Sequence, residues 1–501
     1  MLSAKVSLDP VFRIAPVRRR TFGSFVEHMG RSVYTGIFEP EHPSADEDGF
    51  RTDVLDLVRE LGVSTVRYPG GNFVSGYRWE DGVGPVEERP SRLDLAWHTT
   101  EPNTVGLNEF MRWAGKAGVE PMMAVNLGTR GIQEAVDLLE YCNLPEGTEY
   151  ADLRRAHGVD KPHDVRMWCL GNELDGPWQV GHKTPEEYGR LATETARAMR
   201  MVDPDLELVA CGSSNSSMPA FGAWEATVLD AAYEHVDYIS AHAYYWERDG
   251  DTASFLASAV DMDHFIESVT AAADYVRASK KMTKRVNISF DEWNVWYQRG
   301  PASRPPRDSW PVAPRLLEDV YTLTDAVVVG GLLISLLRHS DRVHAASQAQ
   351  LVNVIAPIMT APGGKAWRQT TFYPFAQASR HARGQVLRTE IDAPTHTTER
   401  FGDVPVVDAV ATHDEESGEI AVFAVNRSTT ETVRVELDLR GGAEEPRLLD
   451  AQTLTSDDPR TQNTEQDPEA VLPRPNPRAS VENGKLYVEL PPVSWNVVRT
   501  A

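Results

Sequence analysis

Two stretches of the chain run from apolar residues straight onto a carboxylate. "MWCLGNELDGPW" (167–178) sets Asn172 and Glu173 after four apolar residues and a glycine, and "NISFDEWNVWY" (287–297) carries Glu292 in the same way. A β-type run that ends on a polar residue delivers its side chain to the carboxyl end of a parallel barrel, where several strands share one pocket. Two carboxylates there, with no cysteine or histidine cluster at metal-ligand spacing, are the minimum equipment for glycoside cleavage. One protonates the departing oxygen; the other attacks the anomeric carbon or activates water. If the two carboxyl groups stand about 5–5.5 Å apart, the second is a nucleophile and configuration is retained.

Other strand-like runs end on Glu27, Arg67, Asn72, His242, Tyr244 and Gln350. Glu173 follows an apolar strand, so desolvation is expected to keep a proton on it, whereas Glu292 is expected to be ionised, favoured by Arg67 if that side chain crosses the barrel. Asn172 is placed to hydrogen-bond a sugar hydroxyl beside the reacting carbon. Trp97, Trp178 and Trp296 offer faces on which a leaving group can stack, and each also fits plain core packing. Plainer readings exist for the rest: Glu27 as a turn cap, Arg67 as a structural ion-pair partner, His242 as a core histidine, and Asn72 as turn chemistry after Gly70-Gly71. No metal site and no cofactor is expected.

Something must bring these residues together. From about residue 20 to 380, β-type runs at 21–28, 64–71, 120–128, 164–173, 206–214, 236–245, 285–293 and 347–357 alternate with longer amphipathic segments. One of these, 184–202, opens with Thr184 as N-cap, Pro185 at the first helical position and Glu187 to close a capping box. Eight strands alternating with helices predict a (β/α)₈ TIM barrel, with residues 173 and 292 separated by three units of about 40 residues each. An open doubly wound sheet is the runner-up, but no glycine-rich phosphate loop follows an early strand. After residue 384 the pattern becomes β-rich with polar turns and ends in a hairpin around Asn483-Gly484. The expected class is therefore α/β, a catalytic barrel over 19–384 and a C-terminal antiparallel, jelly-roll-like β-sandwich over 385–501, completed by residues 1–18. Residues 456–477 read as a long polar surface loop.

Composition narrows the function further. The 501 residues carry a formal charge of −24, which repels polyanions, so no nucleic-acid partner is expected. No apolar run reaches membrane-spanning length and the N-terminus lacks a signal-type core. Cys142, Cys169 and Cys211 are too few and too scattered for a disulfide scaffold, which fits a reducing cytoplasm.

The two acidic stretches resemble the acid/base and nucleophile signatures of the α-L-arabinofuranosidases of glycoside hydrolase family 51. "FGSFVEHMGRSVYTGIFEP" (22–40), "RYPGGNFVSGYRWEDGVGP" (67–85), "AQLVNVIAPI" (349–358) and the terminal "LPPVSWNV" are also similar to that family, so the resemblance covers essentially the whole chain. It implies Glu173 as general acid/base and Glu292 as nucleophile of a retaining mechanism. Glu27, Asn72, Asn172, Tyr244 and Gln350 would hold the arabinofuranosyl ring, with Arg67 and His242 supporting the nucleophile. It also implies a cofactor-free exo-enzyme acting on arabinan- or arabinoxylan-derived oligosaccharides, commonly a homohexamer. The rivals are a β-xylosidase or endoglucanase on the same barrel, a carbohydrate-binding protein without turnover, and a metal-dependent hydrolase.

Overall fold

Parallel strands need cover on both faces, and the alternating pattern supplies it. The protein is described by a computed structural model over residues 1–298, 308–441 and 446–501. Eight parallel strands close a barrel in chain order: Gly23–Phe25, Thr65–Tyr68, Glu120–Ala124, Met167–Leu170, Glu207–Ala210, Tyr238–Tyr245, Asn287–Val295 and Val343–Gln348. Ser347 and Gln348 pair back onto Gly23 and Ser24 to complete the ring. Outward-facing Val66, Trp168, Leu208, Ile239 and Phe290 pack under the surrounding helices. Inward-facing Met122, Ala124, Met167, Cys169, Val209 and Ala345 fill the barrel as a separate apolar cluster.

A helix follows each strand. Pro185–Val202 forms as its cap predicts: the Glu187 backbone N–H donates to Thr184 Oγ1 at 3.3 Å, and the Glu187 carboxylate accepts from the Thr184 backbone at 3.0 Å. The eighth strand corrects the sequence reading. It spans Val343–Gln348, not 347–357, because the small and polar run "VHAASQ" hides a buried strand. The more apolar residues beyond it form a buried loop at the barrel's carboxyl end, where the Leu351 N–H donates to the Phe25 carbonyl at 3.0 Å.

The C-terminal region is one mostly antiparallel sheet of ten strands. The N-terminal strand Leu2–Pro16 lies inside it, antiparallel to Gln385–Asp392 and parallel to Val433–Leu439. The sheet turns over on itself: Asn476 Nδ2 donates both to Thr453 Oγ1 and to the Glu489 carbonyl, each at 2.9 Å, tying strands near its two ends. Val6, Leu8, Val422, Leu437 and Val488 meet in the core between. The expected hairpin is present, with Asn483 and Gly484 at φ 53° and 75° between Glu482 and Lys485, the conformation that a two-residue turn of this kind requires. Residues 456–477 are more than a polar surface loop. Asn463 and Val471 are buried, and the Pro459 and Thr461 carbonyls accept the first free N–H groups of helix Leu323–Arg338.

That helix joins barrel and sheet. Residues Leu323 to Leu337 are all buried, which explains its apolar character on every side. At its end Arg338 binds Asp263 at 2.8 Å and also Asp408 of the sheet, which in turn accepts from Arg427 at 2.6 Å. Gly330 lies so close to the Trp495 ring that an added Cβ would sit 2.4 Å from it, whereas one on Gly331 would meet only Ala259 at 3.6 Å. Gly330→Ala is therefore expected to destabilise by about 1–3 kcal/mol. Gly331→Ala should stabilise by up to about 1 kcal/mol through helix propensity. Denaturant unfolding of both variants checks this pair of opposite signs.

Candidate active site

The seventh strand slips register against both neighbours, between Ser289 and Glu292 on one side and between Phe290 and Trp293 on the other. Such a bulge re-aims side chains. Here it lets two consecutive acids, Asp291 and Glu292, both reach His242 on the sixth strand. Glu292 consequently sits within its strand, three residues before the end, and not at the terminus that the sequence pattern indicated. Glu173 stands just past the fourth strand. Gly171 at φ 95° and Glu173 itself at φ 44° make a tight left-handed turn, a strained conformation for a glutamate.

Geometry around these acids is dense. His242 Nδ1 is 2.8 Å from Glu173 Oε1 and 3.5 Å from Glu292 Oε2, and its Nε2 is 2.9 Å from Asp291 Oδ1. Arg67 does cross the barrel: Nη1 donates to Glu292 Oε1 at 2.8 Å and Nη2 to Asn172 Oδ1 at 2.6 Å. Tyr244 donates to Glu292 Oε2 at 2.7 Å, and the exposed Trp178 donates Nε1 to Glu173 Oε2 at 2.7 Å. Asn172 Nδ2 points at Asn72 Oδ1, 3.3 Å away. One ligand-type atom each from Glu173, His242 and Glu292 falls within 4.8 Å of the others.

A second group forms the opposite wall. Glu27 accepts from Trp97 Nε1 at 2.7 Å, from the Phe73 backbone at 2.8 Å and from Gln350 Nε2 at 3.2 Å. The "PGG" turn permits this approach, since a Cβ on Gly71 would lie 2.2 Å from the Glu27 carboxylate. Trp296 packs edge-on against Tyr244. All nine polar residues anticipated from the sequence thus gather in one place, and six of them, Glu27, Asn72, Glu173, Tyr244, Glu292 and Gln350, with Trp97, Trp178 and Trp296, line a cavity of 660 Å³ at the carboxyl end of the barrel.

Charge is unevenly settled. Burial alone would neutralise His242, but Glu292, Asp291 and Glu173 around it hold its pKa well above the usual range, so the ring is an imidazolium. Burial opposes Asp291 too, yet Arg67 and His242 keep its pKa below the ordinary carboxylate value. Glu292 differs from expectation. Burial and the neighbouring Glu173 raise its pKa, outweighing His242 and Arg67, which favour its anion. An imidazolium has no lone pair to offer a metal, and its N–H groups already face carboxylates, so this cluster fits a shared proton better than a cation.

Sequence reading missed several residues. Asp291 carries a signal in hindsight, two adjacent acids in "FDEW", but strand alternation would turn one of them away and only the bulge brings both in. Asp175, whose carboxylate accepts from the Ser214 backbone and hydroxyl at 2.9 and 3.0 Å, and the cavity-lining Trp246, Arg248 and Arg400 had no readable pattern.

Burial pushes the pKa of Glu27 up to about 8, against the lowering by Trp97 and Phe73. A raised carboxyl pKa means that the folded state holds a proton which the unfolded chain releases near pH 4.3. This contribution to stability is full below that value and is lost as pH rises toward about 8. The melting temperature should accordingly fall between pH 5 and 8, and Glu27→Gln should flatten that slope; an unchanged slope contradicts the assignment.

The family described as Alpha-L-arabinofuranosidase 1 domain matches residues 57–271, and Alpha-L-arabinofuranosidase C-terminal domain matches 291–494. The chain is 58% identical to the intracellular exo-alpha-(1->5)-L-arabinofuranosidase of Streptomyces lividans, over 100% of this chain and 76% of that protein. It is 55% identical to an exo-alpha-(1->6)-L-arabinofuranosidase of Bifidobacterium longum, over 99% and 97% respectively. The structure of a family 51 alpha-L-arabinofuranosidase from Bifidobacterium longum superposes with a TM-score of 0.96 at 51% identity, covering 100% of each chain. Likeness of this extent and identity leaves one conclusion: the chain belongs to the α-L-arabinofuranosidases of glycoside hydrolase family 51.

Proposed function

We propose that this chain hydrolyses terminal non-reducing α-L-arabinofuranosyl groups by double displacement, with Glu173 as general acid/base and Glu292 as nucleophile. The observation that carries the roles is that Arg67 and Tyr244 both donate to Glu292 and not to Glu173, while the two carboxylates, bridged by His242, bring oxygens within 4.8 Å, a separation suited to retention. In the first step a Glu292 oxygen attacks the anomeric carbon while Glu173 gives its proton to the leaving oxygen. In the second, Glu173 takes a proton from water, and that water displaces Glu292. Arg67 and Tyr244 each hold one oxygen of Glu292 and stabilise the anion that the reaction requires. Arg67 fixes Asn172 Oδ1 and Asn72 takes one N–H of the Asn172 amide, so the other N–H is left to meet a ring hydroxyl. Glu27, Asn72 and Gln350 supply further polar contacts to the sugar.

Relatives named for (1->5) and (1->6) linkages support an arabinan- or side-chain-derived oligosaccharide as substrate, and the (1->5) relatives, named intracellular, support a cytoplasmic location. We assign residues 19–384 to the catalytic barrel and 385–501 with 1–18 to the sheet domain, in the manner of a β-sandwich. A homohexamer is the assembly that the family resemblance implies, and sedimentation velocity measures it. No helix among the described residues is long and apolar enough to cross a membrane.

The tests separate roles and rivals. Glu173→Ala should lower kcat on natural linkages about 10²–10⁴-fold, the usual worth of a general acid/base. It should spare the glycosylation step for activated nitrophenyl arabinofuranoside, and azide should rescue turnover as arabinofuranosyl azide of retained configuration. Rescue by that route in Glu292→Ala instead reverses the roles. Faster turnover of the nitrophenyl xyloside, or activity lost on exhaustive chelation, favours a rival enzyme. Sugar binding without hydrolysis between pH 4 and 8 favours a binding protein.

A further inference from the structure

The cavity that Glu173 and Glu292 line is also lined by Ser214, Ser216, Tyr245 and Asp261, and Ser214 is tied to the loop that carries Glu173. Asp175, two residues on, holds Ser214; Ser216 Oγ reaches Asp261 at 3.4 Å, and Tyr245 donates to the same carboxylate at 3.1 Å. Next to this chain of contacts two arginines face the cavity, Arg248 and Arg400. They come from different parts of the fold. Arg248 follows the sixth barrel strand and lies over the Trp246 ring, 4.3 Å from its centroid. Arg400 sits at the tip of the hairpin Thr395–Thr398/Gly402–Pro405, lies 5.0 Å from the Phe401 centroid, and is anchored to the barrel by its backbone N–H on Ser254 Oγ at 3.1 Å.

Neither guanidinium forms an ion pair with a carboxylate among the described residues. Burial and then the charge of Arg400 lower the pKa of Arg248, outweighing the opposite pull of Asp261 and Asp249, so the two cations act on each other. In a chain of net charge −24, both arginines line the catalytic cavity with no carboxylate among the described residues at ion-pair distance, although Asp261 lines the same cavity and acts on Arg248 from farther off. Stacking on aromatic rings limits their motion while leaving their N–H donors open.

We propose that Arg248 and Arg400 form a leaving-group subsite for a carboxylate, so that the preferred substrates carry a hexuronate residue in the part released with the leaving oxygen. The inference rests on the assignment of Glu173 as acid, because that assignment puts the leaving group on this side. Guanidinium forks match a carboxylate in charge and geometry, and a single anionic group is drawn locally even though the whole molecule repels a polyanion.

The experiment compares an arabinofuranosyl oligosaccharide bearing a glucuronosyl residue in its leaving group with the same compound after carboxyl reduction. The wild-type kcat/KM ratio of acidic to neutral substrate is expected to be about tenfold at low salt, as charge-assisted contacts at a partly wet site supply. That ratio should shrink in 0.5 M NaCl and approach one in the double variant Arg248→Gln/Arg400→Gln. A wild-type ratio of one or less, or a ratio unchanged in the double variant, overturns the subsite. The wild-type ratio decides the matter even if the variants do not fold. Absence of turnover by the wild type on nitrophenyl arabinofuranoside would instead refute the assigned activity.

Discussion

A buried knot of unlike charges is the constraint on which the rest of this structure depends. Arg67 and His242 are both withdrawn from water, and so are the three carboxylates of Glu173, Asp291 and Glu292. Each alone would be expensive to bury, and removing one partner leaves the others uncompensated. Together they are held by short contacts in which His242 touches all three acids and Arg67 touches Glu292 and Asn172. The local irregularities of the fold serve this arrangement: a bulge in the seventh strand that brings two successive acids inward, and a left-handed turn that carries Glu173 over the barrel.

Asp291 has a distinct part in this balance. Its carboxylate stays ionised between Arg67 and His242, so the ring keeps its proton and is turned with Nδ1 toward the two reacting acids. The proton count of the pair is thereby tied to a fixed cation instead of to bulk water. Burial raises the pKa of Glu292, and the positive charge that develops on the sugar in the transition state supplies a counter-charge to its anion. The helix Leu323–Arg338, wedged between barrel and sheet, joins the two domains, and a separate hairpin between the sheet strands Gln385–Asp392 and Val407–His413 presents Arg400 to the cavity.

Most of the barrel was legible because parallel strands buried on both faces read as apolar runs, and because helices such as Pro185–Val202 announce their caps. The eighth strand was misplaced because its inward residues, in "VHAASQ", are small and polar, while the apolar loop behind it mimics a strand. At the site, residues at strand ends were legible by position alone. Asp291 was not, since its orientation depends on a bulge that no local composition marks. Arg248 and Arg400 were beyond reach for another reason: they are 152 positions apart, lie in loops, and meet only because the second domain packs on the first. The upward pull on the pKa of Glu292 was not legible because sequence reveals a prospective partner such as Arg67 but not the depth of burial that opposes it.

The most direct measurement is the mass of the protein after reaction with a fluorinated arabinofuranosyl substrate whose glycosyl-enzyme turns over slowly, followed by peptide mapping. The account predicts one arabinofuranosyl adduct per chain, attached to Glu292 and abolished by prior proteolytic unfolding. An adduct on Glu173, or hydrolysis with no covalent intermediate, would contradict it.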